Sequence, residues 1–203
     1  MSFTIIGLTG PAGVGKDTVA DILVRKYNFV KIALADPLKN GISAMFGISK
    51  DILNNRELKE KPHSLLCDNT PRYVMQMLGT EWGRMLIADD VWTRIAHQTI
   101  KDIEEDVLGF GTKGVVITDI RFENEAKWFR TISNNLWHIH RDDNPFSIAA
   151  NHASEKGIVK MKGDTGIYNN FDRHTLETTV DTLISFIDIR ESTECNPLEN
   201  DIL

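Results

Sequence analysis

The chain has 203 residues, with 23 Lys and Arg against 29 Asp and Glu and a formal net charge of −6. That balance excludes broad neutralisation of a nucleic acid backbone, while leaving room for a local basic pocket around one small phosphorylated ligand. Cys67 and Cys195 form no Cys-x-x-Cys pair, the N-terminus lacks the basic run of a signal peptide, and no apolar stretch approaches a membrane span, so the expectation is a soluble protein of a reducing compartment.

Residues 3–9 are apolar and β-branched, stop at Gly10, and read as a buried strand. After a Gly-rich turn, residues 16–26 place Val19, Ile22 and Leu23 on one helical face. Residues 29–33 give a second strand. Asp36-Pro37 starts a helix that runs to about Gly47, with Asp as cap and Pro in the first turn. Residues 48–70 are polar, interrupted by Pro62, and read as a mobile connection with at most a short helix. Pro71 opens a helix toward Leu86 that Gly79 weakens, and Asp89-Asp90 precedes another in which Trp92, Ile95, Ala96, Ile100, Ile103 and Val107 keep helical spacing. Residues 114–119 form a third strand, a helix follows from about Glu123, and residues 136–140 form a fourth strand. Residues 141–163 are polar, residues 165–169 make a short fifth strand, and Leu176, Val180, Leu183 and Ile187 mark the last helix. The tail after Arg190 carries four of the acidic charges and no Lys or Arg, and is expected to fray. Strands alternating with helices imply an α/β fold on a mostly parallel five-stranded sheet covered on both faces.

Residues 10–18, Gly-Pro-Ala-Gly-Val-Gly-Lys-Asp-Thr, match G-x-x-x-x-G-K between a strand and a helix. Gly10, Ala12, Gly13, Val14 and Gly15 supply a backbone whose N–H groups can converge on an anion, and the helix N-terminus adds partial positive charge. Lys16 brings a mobile cation for the β- and γ-phosphates of a nucleoside triphosphate. The next residue is Asp17, with the hydroxyl one place later at Thr18. A carboxylate beside a triphosphate is costly unless it faces a metal or a second ligand. Its alternative role is a first-turn charge that favours the helix dipole.

Val115-Val-Ile-Thr-Asp119 places a carboxylate at the end of a parallel strand, where Asp119 and the Thr18 hydroxyl are candidates for Mg²⁺. Arg121 follows within reach of the same crevice, with a planar fork suited to phosphate. Glu125, one turn on, either orients Arg121 and accepts from a ligand or forms a surface pair with it. Trp82 and Trp92 are weighed between base stacking and core burial, His152 with Glu155 as an orienting pair, and His138 and His140 as structural. Ser154 lies in no nucleophile elbow.

These motifs together resemble the bacteriophage-type deoxynucleoside monophosphate kinases of the P-loop nucleotide-kinase fold. The resemblance is carried by Gly15-Lys-Asp-Thr18, Ala35-Asp-Pro-Leu-Lys39, Arg72 through Gln76-Met-Leu-Gly79-Thr80, Asp119-Ile-Arg121 with Glu125, His152-Ala-Ser-Glu155 and Ile167-Tyr-Asn169. It implies a three-layer α/β/α, P-loop NTPase-like domain over residues 1–190, a helical acceptor-binding region at about 36–107 and a lid at about 141–163. It also implies transfer of the ATP γ-phosphoryl group to a deoxynucleoside monophosphate with Mg²⁺. Carried over by position, Lys16 holds donor phosphates, Asp119 serves the metal and the acceptor, and Arg141 is a lid arginine grouped with Lys16, Asp17 and Arg121 as catalytic. Asp17, Arg121, Glu125 and Arg72 belong to the acceptor side, joined by Lys39, Gln76, Thr80, Arg84, His152 and Glu155. The segment 169–172 lacks an Asn-Asp-Gly turn, and the lid is poor in arginine. The implied partners are ATP and a dNMP, with neither a nucleic acid polymer nor a membrane, in the cytoplasm, the host's for a viral chain. A homodimer stays open. The rival readings are another small-molecule P-loop kinase, such as one for a coenzyme precursor, and a nucleotide-dependent switch. The switch is disfavoured by the lack of an Asn-Lys-x-Asp guanine-reading motif.

Overall fold

Each buried strand needs helices on both faces, and the chain supplies them by alternation. A computed structural model describes residues 3–143 and 157–194. Five strands, β1 (Thr4–Thr9), β2 (Phe29–Ile32), β3 (Gly114–Ile117), β4 (Leu136–His140) and β5 (Thr165–Tyr168), form one parallel sheet in the order β2-β3-β1-β4-β5. The register pairs Ile5 with Val115, Leu8 with Trp137 and Ile139 with Ile167. β1 is therefore central, with β3 on one side and β4 on the other. In open α/β sheets a ligand crevice forms at the carboxyl ends of strands where the winding reverses, which places it just after β1.

The described residues cluster into two compact units, residues 1–31 with 110–203, and residues 32–109. In the first, Ile6 and Leu8 point to one face of the sheet and are fully buried. They pack with Val19, Ile22 and Leu23 of α1 (Lys16–Tyr27) and with Leu176, Val180 and Ile184 of α7 (Arg173–Glu194). Gly7 points to the other face, under α6 (Glu123–Ile132). A Cβ on Gly7 would stand 2.5 Å from Ile120 and 2.8 Å from Phe129, so only glycine lets α6 approach β1 this closely. Lys26 and Tyr27 of α1 both donate to Asp181 of α7, at 2.7 and 2.6 Å, which ties the two helices at their rim.

The second unit is helical: α2 (Asp36–Phe46), α3 (Lys50–Asn54), α4 (Pro71–Gln76), a π-helix over Met77–Ile87, and α5 (Val91–Phe110). Its core joins Ile42, Ile48, Leu53, Leu66 and Val74. Residues 48–70, expected as a loose connection, thus contribute three core side chains. They are braced by a Ser49 cap on α3 and two 3₁₀ turns, Leu58–Glu60 and Ser64–Leu66. The single helix expected from Pro71 to Leu86 divides at Gln76 into an α-turn and a π-helix. Trp92 accounts for the close packing there: its Nε1 donates to the Gly79 carbonyl at 2.8 Å, and its ring lies 2.6 Å from where a Cβ on Gly83 would be. Trp92 is 7% exposed and belongs to the core, whereas Trp82 is half-exposed at 48%.

Several boundaries differ from expectation. β2 stops at Ile32 because Ala33 enters a turn, donating to Asp36 Oδ2 at 2.8 Å and accepting from the Asp36 N–H. Asp36 is accordingly the first residue of α2 rather than its cap, which is Ala35. β3 ends at Ile117, two residues before Asp119, and β5 ends at Tyr168. α7 runs past Arg190 to Glu194. The rest of the acidic tail lies outside the described residues.

Candidate active site

The phosphate loop leaves the buried end of β1 and enters α1 through three glycines with positive φ, Gly10, Gly13 and Gly15. Two of them are also closely approached, Gly10 by backbone and Gly15 by the end of a side chain. A Cβ on Gly10 would sit 2.3 Å from the Ile139 carbonyl oxygen, and one on Gly15 would sit 2.3 Å from Asn169 Nδ2. Gly15, at φ 104°, is the N-cap of α1 and makes no side-chain cap, so the helix's first N–H groups belong to the loop. Val14 is buried to 1% and takes part in the loop through its backbone, its side chain lying in the core, while Ala12 and Gly13 are exposed.

Lys16 folds over this loop. Its Nζ donates to the carbonyls of Gly10 and Pro11 at 2.7 and 2.6 Å, using two of its three N–H donors. Burial, and after it the nearby Arg121 guanidinium, pull its pKa down to about 8, against the opposing pull of Asp17 and Asp119. Lys16 and Arg121 line one pocket with Thr9, Gly10, Ala12 and Ile120. Asp119 is partly buried beyond β3, and Thr18 is partly buried in the first turn of α1.

Asp17 points out to solvent and pairs with Lys31 Nζ at 2.9 Å. Lys31 also reaches Asp21 at 3.1 Å. Burial tends to lower the Lys31 pKa, but the two carboxylates outweigh it and raise it. Glu125 is 2% exposed. Its Oε2 accepts from the backbone N–H of Arg121 at 2.8 Å and of Phe122 at 3.0 Å, capping the start of α6. The alternative of a surface pair between Arg121 and Glu125 therefore does not hold. Glu125 fixes the backbone that carries Arg121, and the Arg121 side chain is left exposed at the pocket wall.

The structure thus brings residues 10–18, Asp119, Arg121 and Glu125 together in the first unit. Lys39, Arg72, Gln76, Thr80 and Arg84 lie in the second. There Lys39 is 3.8 Å from Asp36, Arg72 is ion-paired with Glu60, and Arg84 donates to the Gly79 carbonyl at 3.2 Å. Gln76 closes α4 and Thr80 lies in the π-helix, both partly buried. Arg141 follows β4 and is exposed. His152 and Glu155 lie outside the described residues.

A model of the deoxynucleotide monophosphate kinase family matches residues 67–180. A protein of Acanthamoeba polyphaga mimivirus, assigned to the deoxynucleotide monophosphate kinases, is 30% identical over 195 residues, 91% of this chain and 96% of that protein. The chain belongs to the deoxynucleotide monophosphate kinase family. The deoxynucleoside-5′-monophosphate kinase of Escherichia phage T5 is 25% identical over 237 residues, 83% of this chain and 90% of the phage protein. The family match starts downstream of the phosphate loop and takes in Arg72, the π-helix, Asp119, Arg121 and Asn169.

Two polar residues at or near the kinase loop were not singled out as site residues from sequence. Asn169, known only as part of a resembling motif, donates from Nδ2 to the Val14 carbonyl at 2.8 Å. Lys31, the partner of Asp17, is a lone basic residue near the end of an apolar strand, which is the one sequence signal it offers. A third cluster lies along the same sheet. Asp164 accepts from Arg130 at 2.6 Å, from His138 Nε2 at 3.0 Å and from the Met161 N–H at 2.9 Å. Its carboxylate is almost fully buried. Burial pushes the Asp164 pKa up, but Arg130, the Met161 N–H and His138 outweigh it and hold it below the usual carboxylate range. Burial likewise pulls the His138 pKa down despite Asp164.

Proposed function

We propose that this family member transfers the γ-phosphoryl group of ATP to the 5′-phosphate of a deoxynucleoside monophosphate, giving ADP and the deoxynucleoside diphosphate. The observation that carries the reading is the pairing of two cations, Lys16 and Arg121, on one pocket at the carboxyl end of β1. Family membership supplies the acceptor class.

Phosphoryl transfer asks little covalent chemistry of a protein; it asks for alignment and for positive charge around the oxygens of the moving group. An acceptor phosphate oxygen attacks the γ-phosphorus. The new P–O bond forms as the bond to the β,γ-bridging oxygen breaks, and that oxygen leaves with its electron pair on ADP. Loop N–H groups and Lys16 hold the donor phosphates, and Arg121 neutralises charge on the transferring group. The acceptor-side role of Asp17 rests on the resemblance, its carboxylate here pointing to solvent and pairing with Lys31. The roles of Lys39, Arg72, Gln76, Thr80, Arg84, Arg141, His152 and Glu155 in acceptor binding and lid closure rest on the resemblance.

Among the described residues no group of three His, Cys, Asp or Glu could hold a metal by itself. The Thr18 hydroxyl and Asp119 carboxylate are oxygen donors and fit a Mg²⁺ that arrives on a triphosphate and keeps several waters. When bound, the ion would offset charge on the β- and γ-phosphates. The described residues include no helix long and apolar enough to cross a membrane. We place the enzyme's work on free nucleotides in the cytoplasm.

A coupled assay of ADP release over a panel of dNMPs tests the proposal. Turnover with at least one dNMP is expected. ATP binding without turnover on any of them would move the acceptor to another small phosphorylatable molecule.

A further inference from the structure

Loops that bind phosphate through backbone N–H groups need those groups aimed, and glycine-rich backbone does not aim itself. We propose that Asn169 is a positioning residue for the donor triphosphate, acting through the peptide between Val14 and Gly15. It stands directly after β5, and its own N–H donates to the His140 carbonyl at 2.8 Å, extending the β4–β5 ladder by one bond. From that fixed base its Nδ2 donates to the Val14 carbonyl at 2.8 Å. The same nitrogen would stand 2.3 Å from a Cβ on Gly15, so loop and amide are in direct contact. The Val14 side chain is anchored in the core, which leaves its carbonyl little freedom to turn elsewhere.

The consequence follows from peptide geometry. The structure has no cis peptide among the described residues. In a trans peptide the C=O and the N–H point in opposite directions. Holding the Val14 carbonyl toward Asn169 therefore turns the Gly15 N–H away from it, at the N-cap of α1 where an anion is best received. Only a donor serves: a carboxylate of the same shape would set oxygen against carbonyl oxygen and release the peptide. Lys16 engages different carbonyls of the loop, those of Gly10 and Pro11.

The kinetic part of the test rests on the proposed kinase reaction, and the spectroscopic part does not. Asn169→Asp and Asn169→Ala are compared with wild type for KM of ATP, KM of dNMP, melting temperature and the Gly15 amide resonance of the nucleotide-free protein. Losing one hydrogen bond and gaining a repulsion should raise the KM for ATP about tenfold in the aspartate variant, and less in the alanine variant. The KM for dNMP should stay within about twofold, and the Gly15 amide should shift in both variants. If the aspartate variant does not fold, the alanine variant carries the comparison. A wild-type KM for ATP with an unmoved Gly15 amide overturns the proposal. So does an equal rise in both KM values with a lowered melting temperature, because that marks general structural support. Should wild type phosphorylate no dNMP, the kinase reading fails on its own. Calorimetric affinity for Mg-ATP then replaces KM, and unchanged affinity in the variants again overturns the role of Asn169.

Discussion

Lys16 and Asp164 are two charges withdrawn from water in the same unit, and they are treated in opposite ways. Asp164 is met by Arg130, His138 and the Met161 N–H, and its charged form is favoured despite burial. Lys16 donates to two neutral carbonyls, and burial together with the like-charged Arg121 outweighs Asp17 and Asp119, so its charged form is disfavoured. A charge satisfied by its own protein stabilises the fold. A charge left short of counter-charge is held for an incoming anion.

Several substitutions can break that contrast. Largest is Asp164→Asn, which strands Arg130 beside a neutral amide and should cost about 3–5 kcal/mol, read as a lowered urea midpoint with turnover per folded molecule retained. Next, Lys16→Ala should lower kcat by about two to three orders of magnitude at an unchanged or raised melting temperature. An unaltered rate would remove Lys16 from the site. Gly15→Ala forces a methyl toward Asn169 at a φ of 104° and should cost about 1–3 kcal/mol and weaken ATP binding, both measurable by calorimetry.

The smallest effects concern pH. The Lys16 pKa of about 8 lies below its ordinary value, so the free protein loses this charge as pH rises through 8, and ATP affinity should fall there. The sign for stability is the reverse. Between pH 8 and the ordinary lysine value the unfolded chain binds the extra proton, so the native state gains stability with rising pH. Arg121→Ala removes a lowering influence and should move the alkaline fall in ATP affinity upward. Asp164 contributes at the acid end: its stabilisation is present above the unfolded carboxylate range and is lost as pH falls through its lowered pKa.

The sheet and the loop were legible because their signals are local. An apolar run bounded by polar residues defines β4 to the residue, and the glycines with a lysine define a phosphate loop because a strand precedes them and a helix follows. What depended on distant contacts was not legible. Residues 48–70 intersperse Ile48, Leu53 and Leu66 among charges without a helical or strand period, so their shared core was hidden. In the π-helix Trp92 packs directly on Gly83, a pairing with no local signature. Glu125 is one turn from Arg121 in any helix, but its burial and backbone capping follow from the way α6 meets the sheet. Asp164 reads as an ordinary turn residue until β4 brings His138 beside it.

The bare α-carbon of Gly7 has an effect beyond its own strand. Because nothing projects from it, Ile120 and Phe129 settle directly on the central strand. Ile120 is the residue just before Arg121, and its N–H also bonds to the Leu8 carbonyl at 3.3 Å. A single added methyl would press on the tip of the Ile120 side chain and on the Phe129 ring, in the layer that leads into Arg121. The seating of the layer beside Arg121 thus relies on one absent side chain.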